Sequence, residues 1–186
     1  MSELDIAANR AARKWTTGEL LGRALWETGG QLLFALTPRP FWGWRRQLLR
    51  LFGARIAKGV HLHPRVRITV PWNLDIAEYA AVGEDVRLYN LGLVSIGAAA
   101  TVSQGAHLCA GTHDYRKADL PLVKATIRIE GGAWVCADAF IGPGVTVGDH
   151  AIVGARAVAV RDVAPYAIMA GNPARQIGLR EMRGGA

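Results

Sequence analysis

Five histidines, two cysteines and a surplus of basic over acidic residues are the groups in this chain that could do chemistry. His61, His63, His107, His113 and His150 could each exchange a proton near neutral pH or ligate a metal through a ring nitrogen. Cys109 and Cys136 stand far apart and in no metal-ligand spacing, which reads as two buried or half-buried thiols in a reducing compartment. The 22 Lys and Arg against 15 Asp and Glu give a formal net charge of +7, which favours anionic partners: nucleic acid, an acidic membrane surface or phosphorylated ligands. These cations fall mainly in Arg10–Arg67 and Arg156–Arg183 and form no single run. They read either as a solvated face or as two anion sites, one near each end of the chain.

Chemistry needs a scaffold, and the scaffold is written as a repeat of six. From Ile129 an aliphatic lane runs through Val135, Ile141, Val147, Val153 and Ala159. A second lane, four residues later in each unit, holds Ala133, Ala139, Val145, Ala151, Ala157 and Val163. A helix repeats near 3.6 and a strand near two, so six fits neither. Six residues can form one short strand and a turn. Three such units close a triangular coil, and stacked coils bury the aliphatic lane in a continuous interior. The period recurs in other frames through Ile56, Leu62, Ile68 and Leu74, through Ile76, Val82, Leu88 and Val94, and through Ile96, Val102 and Leu108. Each frame change marks an insertion expelled at an edge. The largest, residues 109–127, contains Gly111-Thr112-His113-Asp114-Tyr115-Arg116-Lys117, a polar segment unsuited to a rung. Insertions in a solenoid tend to gather on its functional face.

Residues 1–55 lack the period. Thr17–Leu36 reads as a helix with Leu20, Leu21, Ala24, Leu25, Leu32 and Leu33 on or near one side, ended by Pro38 and Pro40. Trp42–Phe52 reads as a second helix, basic and aromatic. Both suit a cap over the open end of the stack; the alternative, compatible with it, is an amphipathic surface held against an anionic membrane. With 51% apolar residues and no low-complexity stretch, disorder is expected only at Met1–Arg13 and Gly184–Ala186. Met1–Ala12 does not read as a signal peptide, and no apolar run reaches the roughly 18 residues of a bilayer span. The expected organisation is a helical segment at 1–55, an all-β solenoid at 56–177 with its insertion at 109–127, and a tail at 178–186.

From about Arg45 to Ile177 the chain resembles the hexapeptide-repeat acyltransferases, most nearly the colanic acid and exopolysaccharide acetyltransferase branch. The resemblance rests on an ordered set: Leu48-Leu49-Arg50-Leu51-Phe52-Gly53-Ala54, Val70-Pro71-Trp72-Asn73-Leu74, Leu108-Cys109-Ala110-Gly111-Thr112-His113-Asp114-Tyr115, Ala133-Trp134-Val135, Gly142-Pro143-Gly144-Val145 and Gly171-Asn172-Pro173-Ala174-Arg175. It implies a left-handed parallel β-helix working as a cytoplasmic homotrimer, with active sites between subunits and acetyl-CoA lying along the groove there. It also implies O-acetylation of a sugar, free or in a lipid-linked oligosaccharide, in exopolysaccharide biosynthesis, and no metal. His113 matches the family's catalytic histidine. A neutral imidazole there can take the proton of a sugar hydroxyl as it attacks the thioester carbonyl and return it to the thiolate, with no acyl-enzyme.

Other positions follow from the same resemblance. Asn90 matches an asparagine that meets the acceptor, and its carboxamide could both donate to and accept from a hydroxyl; it could equally satisfy a bulge at the frame change. Asp114 could orient the imidazole, bind sugar or cap the loop backbone. Trp134 reads as an outward aromatic beside the groove or at a subunit contact. Ala137, Ala155, Val160, Arg161 and Arg175 match cofactor positions, the small residues for the pantetheine arm and the arginines for the nucleotide phosphates. Related enzymes often carry Ser or Thr where this chain has Ala137 and Val160, which leaves only their backbone to donate hydrogen bonds.

Two other readings compete. Gamma-type carbonic anhydrases share the trimeric left-handed β-helix and hold zinc by three histidines between subunits. His107 and His113 could approach one face, but no closely spaced His pair follows downstream. A non-catalytic solenoid scaffold would need neither the His113 insertion nor the basic tail. No nucleic-acid-binding motif accompanies the charge.

Overall fold

The six-residue lanes fold as their period dictates. The computed structural model describes residues 4–182, in which short strands wind into a three-sided, left-handed parallel β-helix of about six turns behind a helical N-terminal segment. The first face stacks Arg55–Ile56, Leu74–Ile76, Val94–Ile96, Ile127–Ile129 and Thr146–Val147. The second stacks His61–Leu62, Ala81–Val82, Thr101–Val102, Trp134–Val135, Ile152–Val153 and Ala167–Ala170, then adds Arg175–Leu179 antiparallel at its end. The third stacks Arg67–Ile68, Arg87–Tyr89, His107–Cys109, Phe140–Ile141 and Val158–Ala159. Every lane residue from Ile56 to Val163 is buried, so the interior is one column of Ile, Leu, Val and Ala. The alanines of the second lane sit where the coil turns, and several turns need left-handed backbone, as at Asp138 (φ 57°) and Arg156 (φ 59°).

The helical segment closes the open end in a way the leucine pattern does not foretell. Helices α1 (Ile6–Ala11) and α2 (Thr17–Leu25) are followed by a π-helical turn, Trp26–Gly30, then α3 (Gln31–Ala35) and α4 (Trp42–Leu51). A capping box of Thr16 and Glu19 starts α2. The five-residue turn rotates the face that meets the coil, so Trp26, Gly30 and Phe34 are buried while Leu20, Leu21, Leu25, Leu32, Leu33 and Leu36 stay more than half exposed. A Cβ on Gly30 would collide with the Trp26 ring. The aromatic side of the segment, and not its leucines, thus covers the stack.

Alternate residues of the first coil bond the second coil, as His61 N–H does Ala80 O and Arg67 N–H does Val86 O, which leaves the carbonyls of the residues between them facing the cap. Side chains take five of them in turn. Arg50 donates to Ile56 O, Arg46 to Val60 O (3.0 Å), Arg45 to Leu62 O (2.8 Å), Gln31 to Val66 O (3.1 Å) and Trp26 to Ile68 O (2.7 Å). Arg45 is fully buried, and its other nitrogens donate to Thr37 Oγ1, Pro38 O and Arg39 O. Burial lowers its pKa from the usual guanidinium value. The arginines of α4 thus serve the backbone, and the reading of this stretch as an anion site is corrected for Arg45, Arg46 and Arg50.

Order at the N-terminus also exceeds the expectation. Residues 1–3 and 183–186 lie outside the described residues, but α1 is helical, with the Asp5 side chain accepting from Ala8 N–H at 2.9 Å. No helix among the described residues is long and apolar enough to cross a membrane.

Candidate active site

The polar insertion is a β-hairpin at the corner between the third and first faces. Gly111–His113 pairs antiparallel with Leu122–Lys124, in register Gly111 to Lys124 and His113 to Leu122. The coil needs no residues here, so the hairpin projects with an exposed His113 near its tip. His113 Nδ1 lies 2.6 Å from Leu120 O. A carbonyl only accepts, so Nδ1–H donates and the neutral ring presents its Nε2 lone pair outward. Leu120 has left-handed backbone (φ 43°), which turns its carbonyl back across the hairpin.

Among the described residues no hydrogen bond joins Asp114 to the ring. Its carboxylate accepts from Arg116 N–H at 3.1 Å and caps the loop, the third of the roles open to it. Asn90 is fully buried behind the same corner. Its Oδ1 accepts from Thr69 and Val70 N–H (3.1 and 3.0 Å), and its Nδ2 donates to Val70 O (2.6 Å) and Asn73 O (3.4 Å). Backbone groups thus meet all four hydrogen-bonding positions of the carboxamide, the geometry of the bulge-satisfying reading. Backbone identity cannot be read from a sequence pattern, and for this reason the Leu120 carbonyl was missed.

The remaining positions fall on two edges of the prism. At the corner between the second and third faces, Ala137 and Ala155 occupy the same turn one coil apart, joined by Arg156 N–H to Ala137 O (2.9 Å). Trp134 stands exposed on the second face leading into that corner, its Nε1–H donating to Ser103 Oγ (2.8 Å). Arg175, exposed, opens the last strand opposite Ala170 on the same face. Val160 and Arg161, both exposed, lie instead at the corner between the third and first faces, below the hairpin. Neither Arg161 nor Arg175 has a carboxylate partner among the described residues, and unpaired guanidiniums suit phosphate. Within one chain the width of the third face separates the His113–Val160–Arg161 edge from the Trp134–Ala137–Ala155 edge.

The histidines are dispersed. His61 stacks on Trp42 with centroids 3.9 Å apart, His107 packs edge-on against Phe140 at 5.4 Å, and His150 stacks on Tyr166 at 5.1 Å. Desolvation, then the neighbouring Arg87, pushes the His107 pKa down. Among the described residues no group of three or more His, Cys, Asp or Glu is placed to hold a metal. Cys109 and Cys136 are free and half-buried, and burial pushes the Cys136 thiol up.

A triangular β-helix of six-residue units is the fold of the hexapeptide-repeat acyltransferases. The chain belongs to that family, and within it to the acetyltransferases of the colanic acid branch. It is 38% identical over 170 residues to WcaF of Escherichia coli K12, assigned as a colanic acid biosynthesis acetyltransferase, a match covering 91% of this chain and 93% of WcaF. Among solved structures it is similar to a maltose O-acetyltransferase from Clostridium difficile 630, with TM-score 0.81, 21% identity and 90% of each chain covered. It is equally similar to the hexapeptide-repeat acetyltransferase VCA0836 of Vibrio cholerae in complex with acetyl-CoA, with TM-score 0.80, 19% identity, and 91% and 93% covered. No protein-family model matches the chain.

Proposed function

We propose that this protein moves an acetyl group from acetyl-CoA to a hydroxyl of a sugar during exopolysaccharide biosynthesis, with His113 as general base. The observation that carries the reading is the His113 Nδ1–H bond to Leu120 O, which in the neutral ring places the free lone pair on Nε2. Nε2 takes the hydroxyl proton as the oxygen attacks the thioester carbonyl carbon. The C–S bond then breaks, and the proton passes from Nε2 to the departing thiolate. Neither a metal nor an acyl-enzyme enters this sequence. The acceptor class is supported by the likeness to WcaF, and the donor by the acetyl-CoA bound in the Vibrio cholerae structure.

The two separated edges favour a homotrimer. When copies pack side by side about a threefold axis, one copy's third-to-first corner can face its neighbour's second-to-third corner. His113, Val160 and Arg161 of one subunit would then close a groove with Trp134, Ala137, Ala155 and Arg175 of the next. The small turn residues let the pantetheine arm approach backbone, and the arginines meet the nucleotide phosphates.

The outward leucines of α2 and α3, with Phe41 and Trp44 exposed at one end and Arg10, Arg13 and Arg39 flanking, further support peripheral contact with the anionic inner membrane face, where a lipid-linked acceptor would be met. Co-flotation with anionic but not neutral vesicles is the expected result, and loss of it in Leu25→Ser/Leu32→Ser would assign the contact to this face.

The test of the chemistry is His113→Ala assayed with acetyl-CoA and oligosaccharide acceptors. The expected loss in kcat is about 10²–10⁴-fold, with acetyl-CoA affinity retained. Full activity in His113→Ala would remove the base assignment, and dependence of activity on bound zinc would favour the carbonic-anhydrase-like alternative.

A further inference from the structure

We propose that Asn9 is a positioning residue that sets the tautomer of His113 through the carbonyl of Leu120. The proposal rests on the reading of His113 as the base. The Asn9 side chain and the backbone carbonyls it meets are 110 and 111 residues apart in sequence, and they meet because α1 lies on the hairpin. Asp5 N–H donates to Ala118 O at 2.8 Å. Asn9 Nδ2 donates both its hydrogens, to Asp119 O at 2.7 Å and to Leu120 O at 2.6 Å. Lys14 Nζ donates to Asn9 Oδ1 at 2.7 Å, and an ammonium cannot accept, so the amide can face only one way. Lys124 of the hairpin returns the contact, donating to Lys14 O at 3.0 Å with its ammonium 3.5 Å from the Trp15 ring centroid.

Leu120 O therefore carries two donors, Asn9 Nδ2–H and His113 Nδ1–H, one for each lone pair. This oxygen belongs to a leucine in left-handed backbone, a conformation that costs energy for a side chain of this size. The tip of the hairpin has no side chain in the solenoid core to hold that conformation. Asn9 grips the carbonyls of residues 119 and 120 together and so fixes the direction of the one that orients the ring. Without it the carbonyl is free to swing, and the imidazole can place its proton on Nε2, where it blocks proton abstraction. No residue of α1 is buried, so Asn9 serves the hairpin and not the core.

The experiment compares wild type, Asn9→Ala, Asn9→Asp and His113→Ala. In wild type, ¹⁵N spectra of the histidine rings at a pH where they are neutral should show His113 protonated at Nδ1. In Asn9→Ala the signal should move towards a mixture of tautomers. Its kcat should fall roughly 10- to 100-fold, the scale of a small misplacement of a reacting group. KM for acetyl-CoA and the melting temperature should stay near wild type. Asn9→Asp, the same shape but unable to donate, should lose as much. Wild-type kcat and tautomer in either Asn9 variant, or a fall in kcat with the tautomer unchanged, would overturn the positioning role. His113→Ala separates the two ideas. If it is active, the base reading fails whatever Asn9 does. If it is dead while both Asn9 variants behave as wild type, only the positioning proposal fails.

Discussion

His113 and His107 share a side-chain type and differ in every condition that decides what the type can do. His113 stands exposed at a hairpin tip with one nitrogen bonded and the other free. His107 lies between Arg87 and Phe140 in the ladder of the third face, half-buried, its charged form disfavoured by desolvation and by that arginine. His63 is shifted the same way, chiefly by desolvation, against the opposing pull of Glu84. A folded-state pKa below the unfolded one contributes stability that is complete above about pH 6.5, the unfolded value, and is lost as pH falls through the folded value. Thermal melts should therefore show a midpoint that drops as pH is taken from about 7.5 to 5, by less in His107→Gln. A midpoint in that variant that tracks wild type across the range would clear His107 of the effect. The motif around His113 singled that residue out in the sequence, but the group its ring meets is a peptide oxygen. A peptide oxygen has no residue type to recognise, and Asn9, which holds it, lies in a stretch expected to be disordered.

At the scale of elements, the rungs were legible because each coil repeats the same requirement, an aliphatic side chain inward and a small one at the corner. From Ile129 to Val163 both lanes are buried without exception. The cap was legible only in outline. Its leucine pattern suggested one buried side, but the π-helical turn at Trp26–Gly30 presents Trp26 and Phe34 instead. A periodicity argument that assumes 3.6 residues throughout cannot foresee that rotation. Nor could the pattern show that Arg45 reaches the carbonyls above the first coil, since a basic residue on a predicted helix is ordinarily solvated. Arg45→Met should destabilise the fold by about 1–3 kcal/mol, because it leaves the buried Leu62 carbonyl without its donor and removes the bonds to Thr37 Oγ1 and Pro38 O while preserving much of the volume. Urea titration measures this; a stability equal to wild type would mean water replaces the guanidinium.

At the scale of the whole molecule, the proposed groove residues lie on two edges of one chain. If two copies share each site, two inactive variants can repair each other. His113→Ala lacks the base but keeps the Trp134 edge intact. Ala155→Trp fills that edge but keeps His113. Trimers refolded from an equal mixture should recover roughly a quarter of wild-type activity, the chance that an intact edge of each kind meets at one interface. Recovery absent from a mixture shown by light scattering to be trimeric would place each site within a single subunit.

The five capped carbonyls of the first coil also govern length. A parallel coil can always accept another coil, since its exposed oxygens would pair with any strand laid on them. Here that growth is stopped by arginine, glutamine and tryptophan side chains, which satisfy the oxygens but offer no further ladder to extend. The terminus is thus separate from the repeat. Whole coils can be added or lost between Ile56 and Val163 in the course of evolution or by design without redrawing the lid, whereas a chain cut to begin after α4 would bare the hydrogen-bonding edge of the first coil and should associate through that one end, the other being covered by Arg175–Leu179.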